Sequence, residues 1–501
     1  MFENLQGRID RDISHLSNKA KRTLTLGHAG EDALWLSQAA KKLHANGKLL
    51  VLIADNAAQC LRLRDEISYF APELKTVYFP DWETLPYDLV SPHQDLVSER
   101  LEILYQLANP SEKNTSIDVI LLTCTTASQS IAPVQYLAGR VFFFKKGEEI
   151  NAATLRERLV SAGYQHVSQV VAPGEFSVRG SLIDIFPMGA ATPFRLDLFD
   201  TEIDSIRSFD PDTQRSLELV DEIRVLPGRE VPVDAESLTK FRAKWRETFT
   251  GDPSKAIIYK DLSHGIIGAG IEYYLPLFFD DRATFFDYLN PENTLIGLLG
   301  DNEMALNRFI EETQGRYRFL KADTERPVLS PEKLYLTSEE FFLYLKRFIR
   351  FQGKTDETHP LGRILIDRKA EKPLENLQRL IDEEKAQKHR VLIMTPSNGR
   401  RETIAQLFER NGMKIPYTES FDEFCSDQEP VMLTVGPLYQ GFSTEGIRLL
   451  TETELYAAAP RRTLRRQAHA TNVDMMIRDL AELKIGDPVV HITHGIGRYA
   501  G

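Results

Sequence analysis

The chain is poor in cysteine, in positive relative to negative charge, and in long apolar runs, and each scarcity removes a class of function. Three cysteines occur in 501 residues. Cys60, Cys124 and Cys425 stand far apart, with no C-x-x-C pair and no histidine at ligand spacing. Zinc and a disulfide framework are therefore not expected, and a reducing compartment fits. Acidic residues outnumber basic ones, 73 to 61, for a formal net charge of −12. A polyanion such as DNA is then a poor partner for the chain by itself unless its basic residues cluster. No apolar stretch approaches the roughly 18 residues that a membrane span needs, and no charged-then-apolar leader opens the chain. A cytoplasmic protein without membrane contact is expected.

The length predicts three or four domains, each with room for a sizeable core. From Leu24 to about Leu137, strand-like runs (Lys48 to Ala54, Thr76 to Phe79, Val119 to Cys124) alternate with helical stretches such as Ala57 to Phe70 and Val97 to Ala108. Such alternation marks a parallel sheet covered by helices. A β-rich segment then interrupts the lobe, introduced by a strand at Val141 to Phe144 and a helix near Ala152 to Ala162. Alternation resumes from about Glu230 to Arg350, so the β-rich piece reads as an insertion. A polar stretch, Gln352 to His359, is expected to break the pattern before a second α/β unit with strands at Val391 to Thr395, Val431 to Val435 and Gly446 to Leu450. The expected spans are 1–139 and 228–350 for the two parts of the lobe, 140–227 for the inserted α+β domain, and 351–456 for a small α/β domain without a chemical motif. A basic helical linker follows at 457–484, and 485–501 opens a further β domain. The chain ends inside that domain and is read as part of a longer protein.

Within the insertion, residues 174–216 alternate apolar residues with arginines and acids over three strand-length runs. Val178, Leu182, Ile183, Ile185 and Phe186 are expected to pack inward, and Arg179, Arg195 and Arg207 to face out, with glycines 174, 180 and 189 and Pro187 at turns. By pattern alone this reads as an ordinary antiparallel sheet with a solvated charged face, ahead of a binding face. The wording is more specific. GEFSVRGSLIDIFP and FDTEIDSIRSFDPDTQRS resemble the interaction domain shared by the excision-repair protein UvrB and the bacterial transcription-repair coupling factors (Mfd). There G-E-[FY]-x-x-R-G-x-[LI]-[LI]-D-[LI]-F-P and F-D-x-E-I-D-S-[LI]-R-x-F-D-x-x-[ST]-Q-R-[ST] recur in this order. UvrB-like similarity extends over about Leu24 to Arg350. The last residues, GDPVVHITHGIGRYAG, resemble the start of the RNA-polymerase-interacting domain that follows this module in the coupling factors but not in UvrB. The resemblance is thus to the N-terminal half of the coupling factors, and it implies a degenerate helicase-type parallel α/β lobe around the insertion.

The resemblance also directs attention to Leu26 to Leu34, LGHAGEDAL, between a short strand and a helix. A P-loop there would cradle phosphates with backbone N–H groups while a Lys meets the β/γ oxygens and a Ser or Thr holds Mg²⁺. Against the UvrB text G-x-x-G-x-G-K-T, Gly27 and Gly30 remain, but Asp32 replaces the third glycine, Ala33 the lysine and Leu34 the threonine. The acidic pair that holds Mg²⁺ at the end of the second ATPase strand falls on Leu299 and Gly300, with Asp301 one position late and read as a loop carboxylate. No nucleotide or metal cofactor is expected in this span; ATP and Mg²⁺ are expected only in a motor beyond Gly501. The long aromatic hairpin with which UvrB grips damaged DNA is missing too, because PYDLVSPHQDLVSE is too short for it, and Phe79, Trp82 and Tyr87 read as core anchors.

Residue by residue, the resemblance places UvrA contacts on Arg179, Arg195 and Phe199, and Arg195 and Phe199 lie four apart on one strand, hence on one face. It implies UvrA as partner, with RNA polymerase and DNA partners of the parent protein. The alternative is a nucleotide-driven enzyme, a UvrB-like damage-verifying ATPase or helicase lobe. Asp184, Asp197, Asp200 and Asp204 are expected to pair with arginines rather than to catalyse. His491 and His494 are strand residues rather than a metal pair, and Arg461, Arg462, Arg465 and Arg466 form a basic helix face open to solvent or to nucleic acid.

Overall fold

The computed structural model describes residues 3–16, 21–110, 117–356, 358, 361, 364, 366, 371–456, 488–491 and 495–498. The basic cluster from Arg461 to Arg466 and His494 lie outside the described residues.

The chain opens the lobe with strands β1 (Arg22–His28), β2 (Leu49–Ala54), β3 (Thr76–Tyr78) and β4 (Val119–Thr123), and a short β5 (Ser130–Ile131) follows. The LLVLIA run of β2 is buried from Leu50 to Ala54 without alternation, as a strand covered by helices on both faces must be. Helix Ala57–Phe70 starts where the Asn56 side chain accepts the Gln59 N–H, and it buries Cys60, Leu63, Ile67 and Phe70 on one stripe.

The insertion begins with β6 (Phe142–Lys145) and β7 (Gln165–His166) and continues through β8 (Glu175–Arg179), β9 (Leu182–Ile185), β10 (Phe194–Phe199), β11 (Glu202–Phe209), β12 (Ser216–Val220) and β13 (Glu222–Val225). Strands β7 to β12 form one six-stranded sheet in sequence order. β13 pairs antiparallel with β6, so the entering and leaving strands close the neck of the insertion. The expected three runs are four strands, because Gly180 at φ 63° turns Arg179 back to pair with Leu182. The inward set differs too. With a side-chain period of two, Ile183 and Ile185 reach the main core with Phe176, Leu196 and Ile206, Val178 packs against it, and Leu182 is only half-buried on the opposite parity. Phe186 leaves that core altogether and clusters with Val170 and Phe209.

The chain returns to the lobe with β14 (Ala283–Thr284), β15 (Thr294–Leu299) and β16 (Ile349–Asp356). The six-stranded sheet has the order β1-β16-β15-β2-β4-β3 and every pairing is parallel. Two expectations are corrected here. Between Glu230 and Arg350 only β15 and the start of β16 join this sheet; apart from the short β14, which pairs with β5, the remainder is mainly helices and 3₁₀ turns, many of them packed around an aromatic cluster of Trp82, Tyr87, Phe241, Trp245, Tyr273 and Tyr274. Clustered aromatics and Pro276 in IEYYLPL suit a packed turn better than a strand. The polar stretch from Gln352 is no break either, since Gln352 to Asp356 belong to β16, between β1 and β15. Phe351 and Gly353 are buried there while the Gln352 amide donates to the carbonyls of Leu298 and Gly300.

The second α/β unit has β17 (Arg390–Thr395), β18 (Val431–Val435), β19 (Phe442–Thr444) and β20 (Ile447–Leu450) in the order β18-β17-β20-β19, with β19 antiparallel. Its Met394, Phe421, Phe424, Phe442 and Leu449 share one core with Leu34, Leu63 and Phe70 of the lobe. Separately, Pro488–His491 pairs antiparallel with Gly495–Arg498.

Candidate functional site

The loop after β1 has the backbone of a phosphate cradle and a different occupant. Gly27 and Gly30 take φ 93° and 88°, a region open to glycine without strain. The loop leads straight into helix Glu31–Ala45, whose first N–H groups would face an anion. Here the anion is internal. The Asp32 carboxylate, 1% exposed, accepts the N–H groups of Gly30 at 2.9 Å and Ala33 at 2.8 Å. Arg62 holds both of its oxygens, at 2.6 and 3.0 Å, and the Thr355 hydroxyl donates at 3.2 Å. Glu31 accepts the His28 N–H. Burial works against the Arg62 charge, but Glu66 and Asp32 outweigh it and keep that guanidinium's pKa above its ordinary value.

Ala33 and Leu34, which stand in the lysine and threonine places, are wholly buried in the apolar core. The loop is also covered: a Cβ on Gly30 would lie 2.9 Å from the Phe442 ring and 3.1 Å from the Gln440 carbonyl. At the end of β15, Leu299 is buried and Gly300 abuts the Asp55 carboxylate. Asp301 is a solvent-exposed carboxylate, as expected, and it also caps helix Asn302–Leu320 by accepting the Met304 N–H at 3.0 Å. These residues do not fit a nucleotide, since a triphosphate would have to displace Asp32 and meet no lysine. Phe79, Trp82 and Tyr87 are buried, as core anchors should be.

The insertion shows the same pair of residue types in another setting. Along one rung of its sheet Ser177, Asp184, Arg195, Arg207 and Leu219 stand side by side on successive strands. Asp184, 1% exposed, accepts Arg195 Nε at 2.7 Å on one oxygen; Arg195 Nη2 at 2.9 Å and Arg179 Nη2 at 2.5 Å share the other. Arg195 also lies 4.8 Å above the Phe209 ring. Hydrogen bonding to Asp184 holds its pKa above the ordinary value.

Of the arginines expected to face out, Arg207 is exposed and Arg179 half-exposed, but Arg195 is largely covered at 19% because Asp184 and Phe209 enclose it. Phe199, at the β10–β11 hairpin, is 80% exposed. Leu196 and Leu198 point into the core, so Arg195 and Phe199 do share the outer face. Leu217 and Leu219 on the edge strand β12 are exposed beside it. Asp184 pairs with arginines as expected; Asp197, Asp200 and Asp204 make no ion pair among the described residues, and Asp200 instead takes a positive φ at the hairpin turn. Sequence reasoning missed Arg62, Thr355 and Phe442 at the loop. The first two lie 30 and 323 residues from Asp32, and no local pattern joins them to it.

The parallel α/β lobe thus carries an inserted, mostly antiparallel sheet with this face, and the family comparisons place that insertion with the interaction domain of UvrB. The UvrB interaction domain model matches residues 142–230, the MFD D3 domain model 384–455, and the CarD-like/TRCF RID domain model 483–501. Over nearly all of its length the chain is similar to the transcription-repair-coupling factors. It is 39% identical to the factor of Haemophilus influenzae over 94% of its own length and 41% of the relative's. It is 38% identical to that of Escherichia coli K12, over 90% and 40%. For Bacillus subtilis the figures are 26%, 99% and 42%. The chain therefore spans about two-fifths of the length of these curated relatives.

Proposed function

We propose that this span recruits the excision-repair protein UvrA to RNA polymerase stalled at DNA lesions, and that its lobe serves as a scaffold without ATPase activity. The observation that carries the reading is the outer face of the inserted sheet, where Arg179, Arg195 and the exposed Phe199 stand together inside the span matched by the UvrB interaction domain. Arginine and aromatic side chains are the usual anchors of protein interfaces, the one for forked pairing with carboxylates and the other for buried area. Unlike Arg62 beside Asp32, Arg179 here is half-exposed, and Phe199 on the same sheet is 80% exposed.

In this reading the parent protein is an ATP-dependent DNA translocase that displaces stalled polymerase. Its motor, with ATP, Mg²⁺ and DNA contacts, belongs to sequence outside this span, and polymerase binding to the RID-like residues from 483. The reading as a nucleotide-driven, UvrB-like enzyme has the weaker support, because Asp32 occupies the cradle and Phe442 covers it.

The test is titration calorimetry of UvrA against the chain and its variants at two salt concentrations. Alanine at Arg179, Arg195 or Phe199 is expected to cost about 2 kcal/mol of binding each. Glutamate at either arginine should be worse than alanine, and added salt should weaken the wild-type complex. Wild-type affinity in all three alanine variants would sink the reading.

A further inference from the structure

Asp184 stands between the two arginines of the face without being part of its surface. It lies on β9, opposite Ser177 of β8 on one side and Arg195 of β10 on the other. Its carboxylate is 1% exposed, whereas the side chains of Arg195 and Arg179 are 19% and 50% exposed. A partner can reach the guanidiniums but not the acid. One carboxylate thereby fixes two long side chains from different strands, and the Phe209 ring holds one of them from below. Arg179 spends a single N–H on Asp184, out of the five that a guanidinium carries. An unrestrained arginine would have to be ordered when a partner binds, at a cost in affinity.

We propose that Asp184 is a positioning residue of the docking face: it preorganises Arg179 and Arg195 for carboxylates of an acidic partner surface that it does not itself touch. The proposal rests on the reading that UvrA docks here. It has a consequence of unusual sign. Charge alone makes Asp184 a repellent for an acidic partner, so neutralising it should tighten binding. Positioning requires the opposite.

The experiment is calorimetry of UvrA with the chain, Asp184→Asn, Asp197→Asn, Arg195→Ala and the double variant Asp184→Asn with Arg195→Ala, each checked for folding by thermal melt. Asp197 shares the face, two residues along the strand from Arg195, between Leu182 and Ser205, and it is the control for charge. Asp184→Asn is expected to weaken binding about tenfold, and Asp197→Asn to leave it unchanged or slightly tighter. In the Arg195→Ala background, Asp184→Asn should cost far less, since coupled residues are not additive; a merely architectural role would cost the same in both backgrounds. Should Asp184→Asn fail to fold, Asp184→Glu, which moves the charge by one methylene, carries the same expectation of several-fold weaker binding. Absence of wild-type binding overturns the docking reading and this role with it. Wild-type binding that Arg195→Ala weakens but Asp184→Asn leaves equal or tighter overturns the positioning role alone.

Discussion

Asp32 and Asp184 are both 1% exposed and both hold arginine forks, yet the first is enclosed by the fold while the arginines of the second reach an outer face. Around Asp32 every partner is internal: two loop N–H groups, the Thr355 hydroxyl and Arg62, with Phe442 packed over the loop. Around Asp184 the arginines emerge on an outer face next to an exposed phenylalanine. The chemistry of an ion pair does not say whether it is structural or recognitive. What stands above it does, because a covered pair can only stabilise, while an uncovered one leaves donors for a partner.

The comparison breaks most readily at Asp32. Replacing it with alanine orphans two buried N–H groups and leaves Arg62 with Glu66 alone, so a loss of about 3 kcal/mol in folding stability is expected from chemical denaturation. A loss below about 1 kcal/mol would mean that the internal anion is not what holds the loop. Next in size, Phe199→Ala is expected to cost about 2 kcal/mol of UvrA binding but less than about 0.5 kcal/mol of stability, since the ring is 80% exposed. A large drop in melting temperature would show that it packs in the fold after all. ATP with Mg²⁺ at millimolar concentration should not shift the melting temperature of this span, because only a ligand that binds the native state stabilises it; a rise of several degrees would reopen the nucleotide reading.

The smallest expected effect concerns the thiols. Burial pushes Cys60 and Cys124 up to about 12 and Cys425 up to about 11. A raised thiol pKa disfavours the thiolate, the reactive form, so at pH 8 a disulfide reagent should label the native chain far more slowly than the denatured one. Equal rates would mean that these segments open readily.

Much of this fold is written locally. The unbroken apolar run of β2, the Asn56 cap and the apolar stripe of the helix after it each state their structure within a few residues, as do the glycines of the loop after β1 and the substitutions at Asp32, Ala33 and Leu34. The outer-face parity of Arg195 and Phe199 followed from period two. Errors arose where neighbours overrule pattern. The polar stretch from Gln352 is a sheet strand because β1 and β15 satisfy its backbone from both sides, and Arg195 is covered because Asp184 and Phe209 come to it from other strands.

The sequence by itself thus determined that the loop lacks the lysine and the hydroxyl of an ATPase, that the end of β15 lacks its acidic pair, and that Arg195 and Phe199 share a strand in the insertion. Tertiary structure decided the rest: that Asp32 fills the cradle with Arg62 and Thr355, that Phe442 seals it, and that Asp184 gathers two arginines under an open face. The physical reason is range. Propensity, capping and side-chain period act over a handful of residues, whereas an ion pair or a covering ring depends on which distant segments the packed sheets bring within a few ångströms.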